Sequence, residues 1–349
     1  MNKISAGVLG ATGTVGQRFI QLMADHPWFE VTAVAASERS AGRRYADACH
    51  WLLSTPIPEG VRDLIVQPIT VKPDCRLIFS ALPSQAAGPV EEQLAQAGYA
   101  VCSNAAAHRM DADTPLLIPE VNAAHTALIK AQRRRRGGKG FIAASANCST
   151  TQLALALKPL QEAFGLRQVS VVTLQAISGA GYPGVSSLDI LGNVVPFIGG
   201  EEEKMESEPL KLLGQLRDDR VVNAACAISS QCNRVPVRDG HTECVSVELE
   251  RRADADEAIA VLESFQGSPE VIDLPSSPDQ TIIVHRAPER PQPIRDRNAG
   301  AGMSVAVSRV RTCPVLSLKF VLLGHNTLRG AAGGSIHNAE LLTSQGWIA

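Results

Sequence analysis

No stretch of about 18 apolar residues occurs in the 349-residue chain, so nothing in it is expected to span a membrane as a helix. The opening Met1-Asn-Lys-Ile-Ser-Ala runs straight into a strand-like segment, without the apolar region of a secretory signal. Charge of one sign is missing too. Basic residues number 33 and acidic residues 35, a net charge of -2, which removes the electrostatic case for a nucleic-acid partner. The one basic run, Gln132-Arg-Arg-Arg-Arg-Gly-Gly-Lys139, contains none of the stacking aromatics of an RNA-binding arm and reads as a solvated loop after a helix. The eight cysteines show no Cys-x-x-Cys spacing, which predicts reduced thiols in a cytoplasmic protein and no metal site. Internal repeats and low-complexity stretches are absent. What remains is an ordinary globular composition, 45% apolar and 19% charged, at a length that predicts two domains.

The first forty residues read strand, loop, helix, strand. Ala6-Gly-Val-Leu-Gly10 is a buried strand, residues 17–24 have helical periodicity, and residues 31–37 form a second strand. Between strand and helix lies Gly10-Ala-Thr-Gly-Thr-Val-Gly16. Glycines let a backbone turn tightly against a pyrophosphate, and the following helix aims its N–H groups at that anion. Gly10, Thr12, Gly13, Thr14, Val15 and Gly16 are therefore read as a dinucleotide cradle. Its place between strand and helix outweighs the less common G-x-x-G-x-x-G spacing. The second strand ends in Ser37-Glu38-Arg39-Ser40, where the ribose contact belongs. Ser37 replaces the acid of an NAD site, and Arg39 with Ser40 suits a 2′-phosphate, so NADP is the expected cofactor. Glu38 would repel that phosphate and is expected to face solvent. Strands at 76–82 and 99–103 are apolar on both faces, as in a parallel sheet. Their ends, Ser80-Ala81-Leu82 and the stretch from Asn104 to Arg109, mark the ligand crevice.

The second half has alternating strands at 168–176, 245–250, 304–310 and 316–323, which predict a mixed or largely antiparallel sheet. Segment 326–342 reads as a helix opening on small residues, and is expected to pack back on the cofactor half. Cys148 stands in Ser145-Ala-Asn-Cys-Ser-Thr-Thr151, directly before the helix-forming run 152–158. A thiol there lies at or beside the N-cap, with Ser149, Thr150 and Thr151 as capping hydroxyls, where the helix dipole favours the thiolate. The Asn147 amide can donate to an oxygen of the group under attack. His241, ahead of a strand, is a candidate acid–base partner. In Gly199-Gly-Glu-Glu-Glu-Lys204, Glu201 and Lys204 share a helical face. The run of three acids leaves open which of Glu201, Glu202 and Glu203 meets a substrate.

These motifs, with Ser178-Gly-Ala-Gly-Tyr-Pro183 and an Arg234 separated from His241 by six residues, resemble the aspartate-semialdehyde dehydrogenases of archaeal and fungal type. The resemblance spans essentially the whole chain. It implies NADPH-dependent conversion of L-4-aspartyl phosphate to L-aspartate 4-semialdehyde through a Cys148 thioester, in lysine, threonine, methionine and isoleucine biosynthesis. It gives His241 the acid–base role and makes Asn147 and the Cys148 N–H the oxyanion donors. Gln175 would orient the acyl group, Arg234 hold the α-carboxylate, Glu201 the α-ammonium, and Asn104, Arg109 and Lys204 the phosphate. Ser178, Gly179 and Asn326 would join Ser80, Ala81 and Leu82 along the cofactor. The implied fold is α/β: a Rossmann-like domain over 1–147, an α+β catalytic and dimerisation domain over 148–325, and a C-terminal helix over 326–349 returning to the first domain. A homodimer or homotetramer is implied as well.

Four other readings use part of this pattern. N-acetylglutamyl-phosphate reductase shares the fold and chemistry, but its substrate has no ammonium and would leave a desolvated acid unpaired. Malonyl-CoA reductase likewise lacks the amine. A Cys–His hydrolase has no use for the glycine loop. A non-enzymatic dinucleotide-binding regulator has no need to keep Cys148, His241 and Arg234 together.

Overall fold

Short apolar runs buried on both faces build a seven-stranded, wholly parallel sheet in the computed structural model, which describes residues 3–348. Its strands are β1 (Ile4–Leu9), β2 (Phe29–Ala36), β3 (Gln67–Pro68), β4 (Leu77–Ser80), β5 (Ala100–Ser103), β6 (Leu116–Leu117) and β7 (Phe141–Ser145). They lie in the order β3-β2-β1-β4-β5-β7-β6, so the direction of winding reverses between β1 and β4. A crevice opens at such a reversal, outside the strand C-termini. Crossovers include α1 (Thr14–Met23), α2 (Ser84–Gln96) and α3 (Leu128–Arg136). Alternate residues of each strand point to opposite faces. Leu9, Ile78, Val101 and Ile142 meet Leu94 and Ala95 of α2, while Val8, Phe79, Cys102 and Ala143 share a core with Phe19 and Ile20 of α1.

The basic run departs from its expected loop. Residues 132–136 are the last turns of α3, and the left-handed Gly137 ends it. The cause is Gln132, wholly buried, whose amide both donates to the Ile142 carbonyl and accepts from the Ile142 N–H, stitching α3 to β7.

The second half begins with α4 (Cys148–Phe164) and β8 (Leu166–Gln175). Then follow α5 (Glu201–Leu212), the hairpin β9 (Gln215–Arg217) and β10 (Arg220–Val222), β11 (Ala227–Arg234), β12 (His241–Leu249) and α6 (Ala255–Ser264). The chain continues through β13 (Ile282–His285), β14 (Val305–Thr312), β15 (Leu318–Gly324) and α7 (Gly333–Ser344). Six of these strands form a mixed sheet in the order β11-β8-β12-β15-β14-β13. One face packs Val169, Val245, Val247, Phe320 and Leu322 against Leu153 and Leu157 of α4 and Leu262 of α6. Each such buried side chain contributes about 1.5–3 kcal/mol.

The C-terminal segment is helical later than its sequence suggests. Residues Leu328–Ala332 form a π-type turn broken at Ala331, and regular helix starts only at Gly333. Ala332, Ile336, Ala339 and Leu342 then enter the core of the first sheet beside Phe19 and Phe141. Among the described residues no helix is long and apolar enough to cross a membrane.

Candidate active site

Strand ends converge on one crevice. Gly10, just past β1, has φ +73°, and a Cβ there would lie 2.6 Å from the Ala81 carbonyl oxygen at the end of β4. A Cβ on Gly16 would run into the Gly10 carbonyl. The first glycine thus permits the turn and the third lets α1 sit against the loop. Tyr45, unnoticed in the sequence, donates its hydroxyl to the Ala11 carbonyl at 2.8 Å and fixes the loop from behind. Across the crevice a cleft of about 250 Å³ is lined by Thr14, Arg18, Ser178, Tyr182, Arg238 and Thr327. Asn326 accepts from the Gly240 N–H at 2.9 Å and donates to Ser178 Oγ at 2.8 Å, tying the cleft's far wall to the C-terminal turn. The Ser37-to-Ser40 turn follows directly on the C-terminus of β2. It is closed by Ser40 N–H on the Ser37 carbonyl, with Ser37, Glu38 and Arg39 exposed.

Cys148 is the first residue of α4, half-buried at the end of β7. The cap differs from expectation. Asn147 is the N-cap, its Oδ1 accepting from the N–H groups of Ser149 and Thr150, and the hydroxyls of 149–151 lie buried inside the first turn. A side-chain carbonyl one residue earlier outcompetes hydroxyls already within the helix. Sγ lies 3.3 Å from His241 Nε2. His241 is the first residue of β12, wholly buried, and its Nδ1 accepts from the Ala176 N–H at 3.0 Å. That bond places the ring proton on Nε2, facing the sulfur.

The expected thiolate is not the substrate-free state. Burial, reinforced by the Glu201 carboxylate, pushes the thiol up to about 12, against the opposing pull of Arg109, the Ser149 N–H and Arg234. Burial, with the Arg234 and His325 charges, pushes the imidazole down to about 3. Both partners are neutral because desolvation outweighs the helix dipole.

Two cationic groups flank the thiol. Arg234, at the end of β11, is buried and donates Nη1 to the Ala176 carbonyl at 2.9 Å. A Cβ on Gly179 would lie 2.8 Å from that Nη1 and 3.2 Å from His241 Cε1, so with glycine this turn packs closely over both. On the other flank Arg109 donates to Glu208 Oε1 and to the Asn104 carbonyl, each at 2.8 Å. The Asn104 amide nitrogen and Arg109 Nε are buried and have no hydrogen-bond partner among the described residues. Buried donors left open in this way suit an incoming anion.

The acidic run is resolved by α5. Glu201 is buried, its Oε1 accepting from Asn147 Nδ2 at 2.8 Å and Gln175 Nε2 at 3.1 Å, while Lys204 pairs with its Oε2 at 3.1 Å. Glu202 instead accepts from the Cys232 N–H, and Glu203 is exposed. The Asn147 amide nitrogen is therefore engaged by Glu201 before any substrate arrives. Two further α5 residues escaped the sequence reading. Glu208 Oε2 accepts from the Asn147 N–H at 2.7 Å, and Lys211 Nζ donates to the carbonyls of Arg109, Asp111 and Thr114 at 2.7–2.9 Å. The spacing 201, 204, 208, 211 follows one helical face and was the available signal.

Residues 5–129 match the semialdehyde dehydrogenase NAD-binding domain family, and residues 157–329 the semialdehyde dehydrogenase dimerisation domain family. An aspartate-semialdehyde dehydrogenase of Archaeoglobus fulgidus is 51% identical over 344 residues, covering 98% of this chain and 99% of the relative. That of Saccharomyces cerevisiae is 43% identical over 359 residues, covering 98% of each chain. The chain belongs to the aspartate-semialdehyde dehydrogenase family. The crystal structure of the Candida albicans aspartate-semialdehyde dehydrogenase with NADP superposes at a TM-score of 0.91, with 42% identity over 99% of this chain and 100% of that one. The family's Rossmann-like domain followed by a mixed-sheet domain is thus the architecture found here, and the archaeal and fungal relatives are the branch its motifs resemble.

Proposed function

We propose that this protein is an NADP-dependent aspartate-semialdehyde dehydrogenase, acting on L-4-aspartyl phosphate in the biosynthetic direction. The observation that carries the reading is Cys148 Sγ at the head of α4, 3.3 Å from His241 Nε2 and set between Arg234 with Glu201 and Arg109 with Asn104. A substrate with carboxylate and ammonium at one end and acyl phosphate at the other matches that polarity. Arg234 takes the α-carboxylate with its planar fork, Glu201 the ammonium, and Arg109, Asn104 and Lys204 the departing phosphate. Cys148 forms the C–S bond as the C–O bond to phosphate breaks; the thiol proton leaves with the departing phosphate, and a thioester remains. The Cys148 N–H at the helix start, with Asn147 once its amide is freed from Glu201, stabilises the oxyanion, and Gln175 orients the acyl group. His241 Nε2–H, facing the sulfur, is the proton available to the oxygen of a group bound there.

The glycine loop, the end of β4, Ser178, Gly179 and Asn326 would hold the dinucleotide, which supplies a hydride when bound. The fit is supported by Gly10 and Gly16, whose lack of a side chain lets the loop turn against the end of β4 and lets α1 close on the loop, the shape that brings backbone N–H groups to a pyrophosphate. The NADP bound by the Candida relative and the aspartate semialdehyde dehydrogenase II of Vibrio cholerae complexed with ASA, 27% identical at a TM-score of 0.77 over 98% of this chain, support the same assignment. The domain limits 1–147, 148–325 and 326–349, a homodimer or homotetramer, and a cytoplasmic setting for eight free thiols complete the proposal.

Turnover with aspartate semialdehyde, phosphate and NADP, followed at the nicotinamide absorbance, tests it. Cys148→Ala abolishes turnover but leaves NADP binding intact. Near-normal turnover by that variant would reduce Cys148 to a helix residue. Ser37, Arg39 and Ser40 are proposed to hold the 2′-phosphate, so Arg39→Ala raises KM for NADP well above any change for NAD. Equal losses for both cofactors overturn that assignment.

A further inference from the structure

The contact between Cys148 and His241 is repeated one step deeper. One helical turn along α4 from Cys148 comes Gln152, and two residues along β12 from His241 comes Glu243, each on the same face as its predecessor. Both are buried. Gln152 Nε2 donates to Glu243 Oε1 at 2.8 Å and to the His241 carbonyl at 3.3 Å. Beyond this second contact the interface turns apolar, with Val245 and Val247 of β12 joining Leu153 and Leu157 of α4 in the core.

A buried acid there costs free energy that an apolar side chain of its size would not. The fold nevertheless makes room for it. Gly324 of β15 pairs with His241, and a Cβ on that glycine would run into Gln152 Oε1. Glu243 Oε2 has no hydrogen-bond partner, and no cation pairs with the carboxyl among the described residues. Burial, reinforced by Glu201 and only partly opposed by the Gln152 bond, pushes this carboxyl well above the ordinary carboxylate range. Glu243 therefore stands behind the thiol and the imidazole as an uncharged acid, and adds no field to either. What it does add is direction. Apolar contacts let a helix shift against a sheet by fractions of an ångström, whereas a buried hydrogen bond fixes the register.

We infer that Glu243 and Gln152 are positioning residues: their hydrogen bond, shared with the His241 carbonyl, fixes α4 against β12 and so holds Cys148 Sγ at His241 Nε2. The geometric half stands without any assigned activity, and its effect on turnover rests on the proposed function.

The test uses the full chain with Glu243→Leu, Glu243→Gln and Gln152→Met. Glu243→Leu is expected to keep or raise Tm, because an apolar residue replaces a buried acid. Its kcat with aspartate semialdehyde, phosphate and NADP nevertheless falls at least about tenfold, while KM for the aldehyde stays within about twofold. Its crystal structure shows the Sγ–Nε2 separation moved from 3.3 Å by at least about 0.5 Å. Glu243→Gln keeps an oxygen for Gln152 to donate to, and its kcat stays within about threefold of wild type. Gln152→Met removes the donor and loses as much as Glu243→Leu, and the double variant Glu243→Leu/Gln152→Met is no worse than either, since all three lack the same bond. Should Glu243→Leu fail to fold, Gln152→Met decides. An unmoved sulfur in the leucine and methionine variants overturns the inference whatever their turnover. A glutamine variant as impaired as the leucine one does so too, because the acceptor oxygen is then not what matters. A moved sulfur with undiminished turnover overturns the link to the reaction. A moved sulfur in the variants of a wild type that never turns over aspartate semialdehyde upholds the positioning and counts against the proposed function alone.

Discussion

Cys148 and His241 meet as two neutral groups, and this sets when the sulfur becomes reactive. With the thiol pushed up to about 12, the thiolate fraction rises about tenfold per pH unit through the neutral range. Inactivation of the substrate-free protein by iodoacetamide is therefore expected to accelerate with that slope from pH 7 to pH 10. A rate plateau beginning below pH 8 would reveal a thiolate–imidazolium pair instead. The two residues proposed to react were legible as candidates, since a cysteine before a helix-forming run and a lone histidine before a strand both stand out, and the fold brings them to 3.3 Å. Their charge state was not. The dipole at the head of α4 can be inferred from a sequence, but the desolvation that opposes it depends on how β7, α4 and β12 close over the sulfur. Asn147 shows the same divide: its neighbourhood marked it as functional, while its cap to Ser149 and Thr150 and its bond to Glu201 are tertiary facts.

The element that organises the pocket is α5. Glu201 bonds Asn147 and Gln175 and pairs with Lys204, and the next turns supply Glu208 and Lys211, which hold the Arg109 loop and the Asn147 backbone. Glu208 is buried and is the carboxylate partner of the buried Arg109. Removing it leaves a charge without compensation, so Glu208→Ala should cost about 3–5 kcal/mol in urea unfolding. Arg109→Met in the same chain should recover part of that loss, because two absent charges cost less than one unpaired charge. Additive losses in the double variant would refute the coupling. Four of the seven strands of the first sheet and their parallel direction could be read from two-sided apolar runs, and four of the six of the mixed second sheet from alternation; β3, β6, β7, β11 and β13 went unread. Glu208 and Lys211 share the helical face of Glu201 and Lys204, but nothing local showed that this face is buried. On the sequence they are two more polar residues on a surface-like helix, and only the arrival of residues 104–114 buries them. The basic run was misplaced for a related reason, since nothing local announces that Gln132 is bonded to β7.

At the scale of the whole molecule, several histidines are kept neutral by burial. His241 is pushed down to about 3, and His125 and His325 to about 4. An unfolded chain protonates these rings near the ordinary imidazole value of about 6.5, while the folded one refuses the proton. Unfolded protein therefore binds more protons as pH falls, and stability is lost between about pH 6.5 and pH 4, at roughly 1.4 kcal/mol per pH unit for each ring. The buried carboxyls of Glu91 and Glu243, raised by desolvation, work in the opposite sense. Calorimetry should show Tm falling from pH 7 to pH 5, with net proton uptake on unfolding near pH 5, the three rings' uptake being partly offset by protons released from the two carboxyls. A Tm that holds steady over that interval excludes this account. The broken turn at Leu328–Ala332 has a different kind of consequence. Gly330 lies so near Cys148 that a Cβ would come within 2.7 Å of the cysteine Cβ, and Arg329 beside it is clasped by Glu120 from the first half. One wall of the chamber around Cys148 is thus built by a segment far along the chain from the thiol and held by the first half. A ribosome-bound protein whose first half has already folded carries the thiol without that wall until residues 328–332 have emerged and docked beside it.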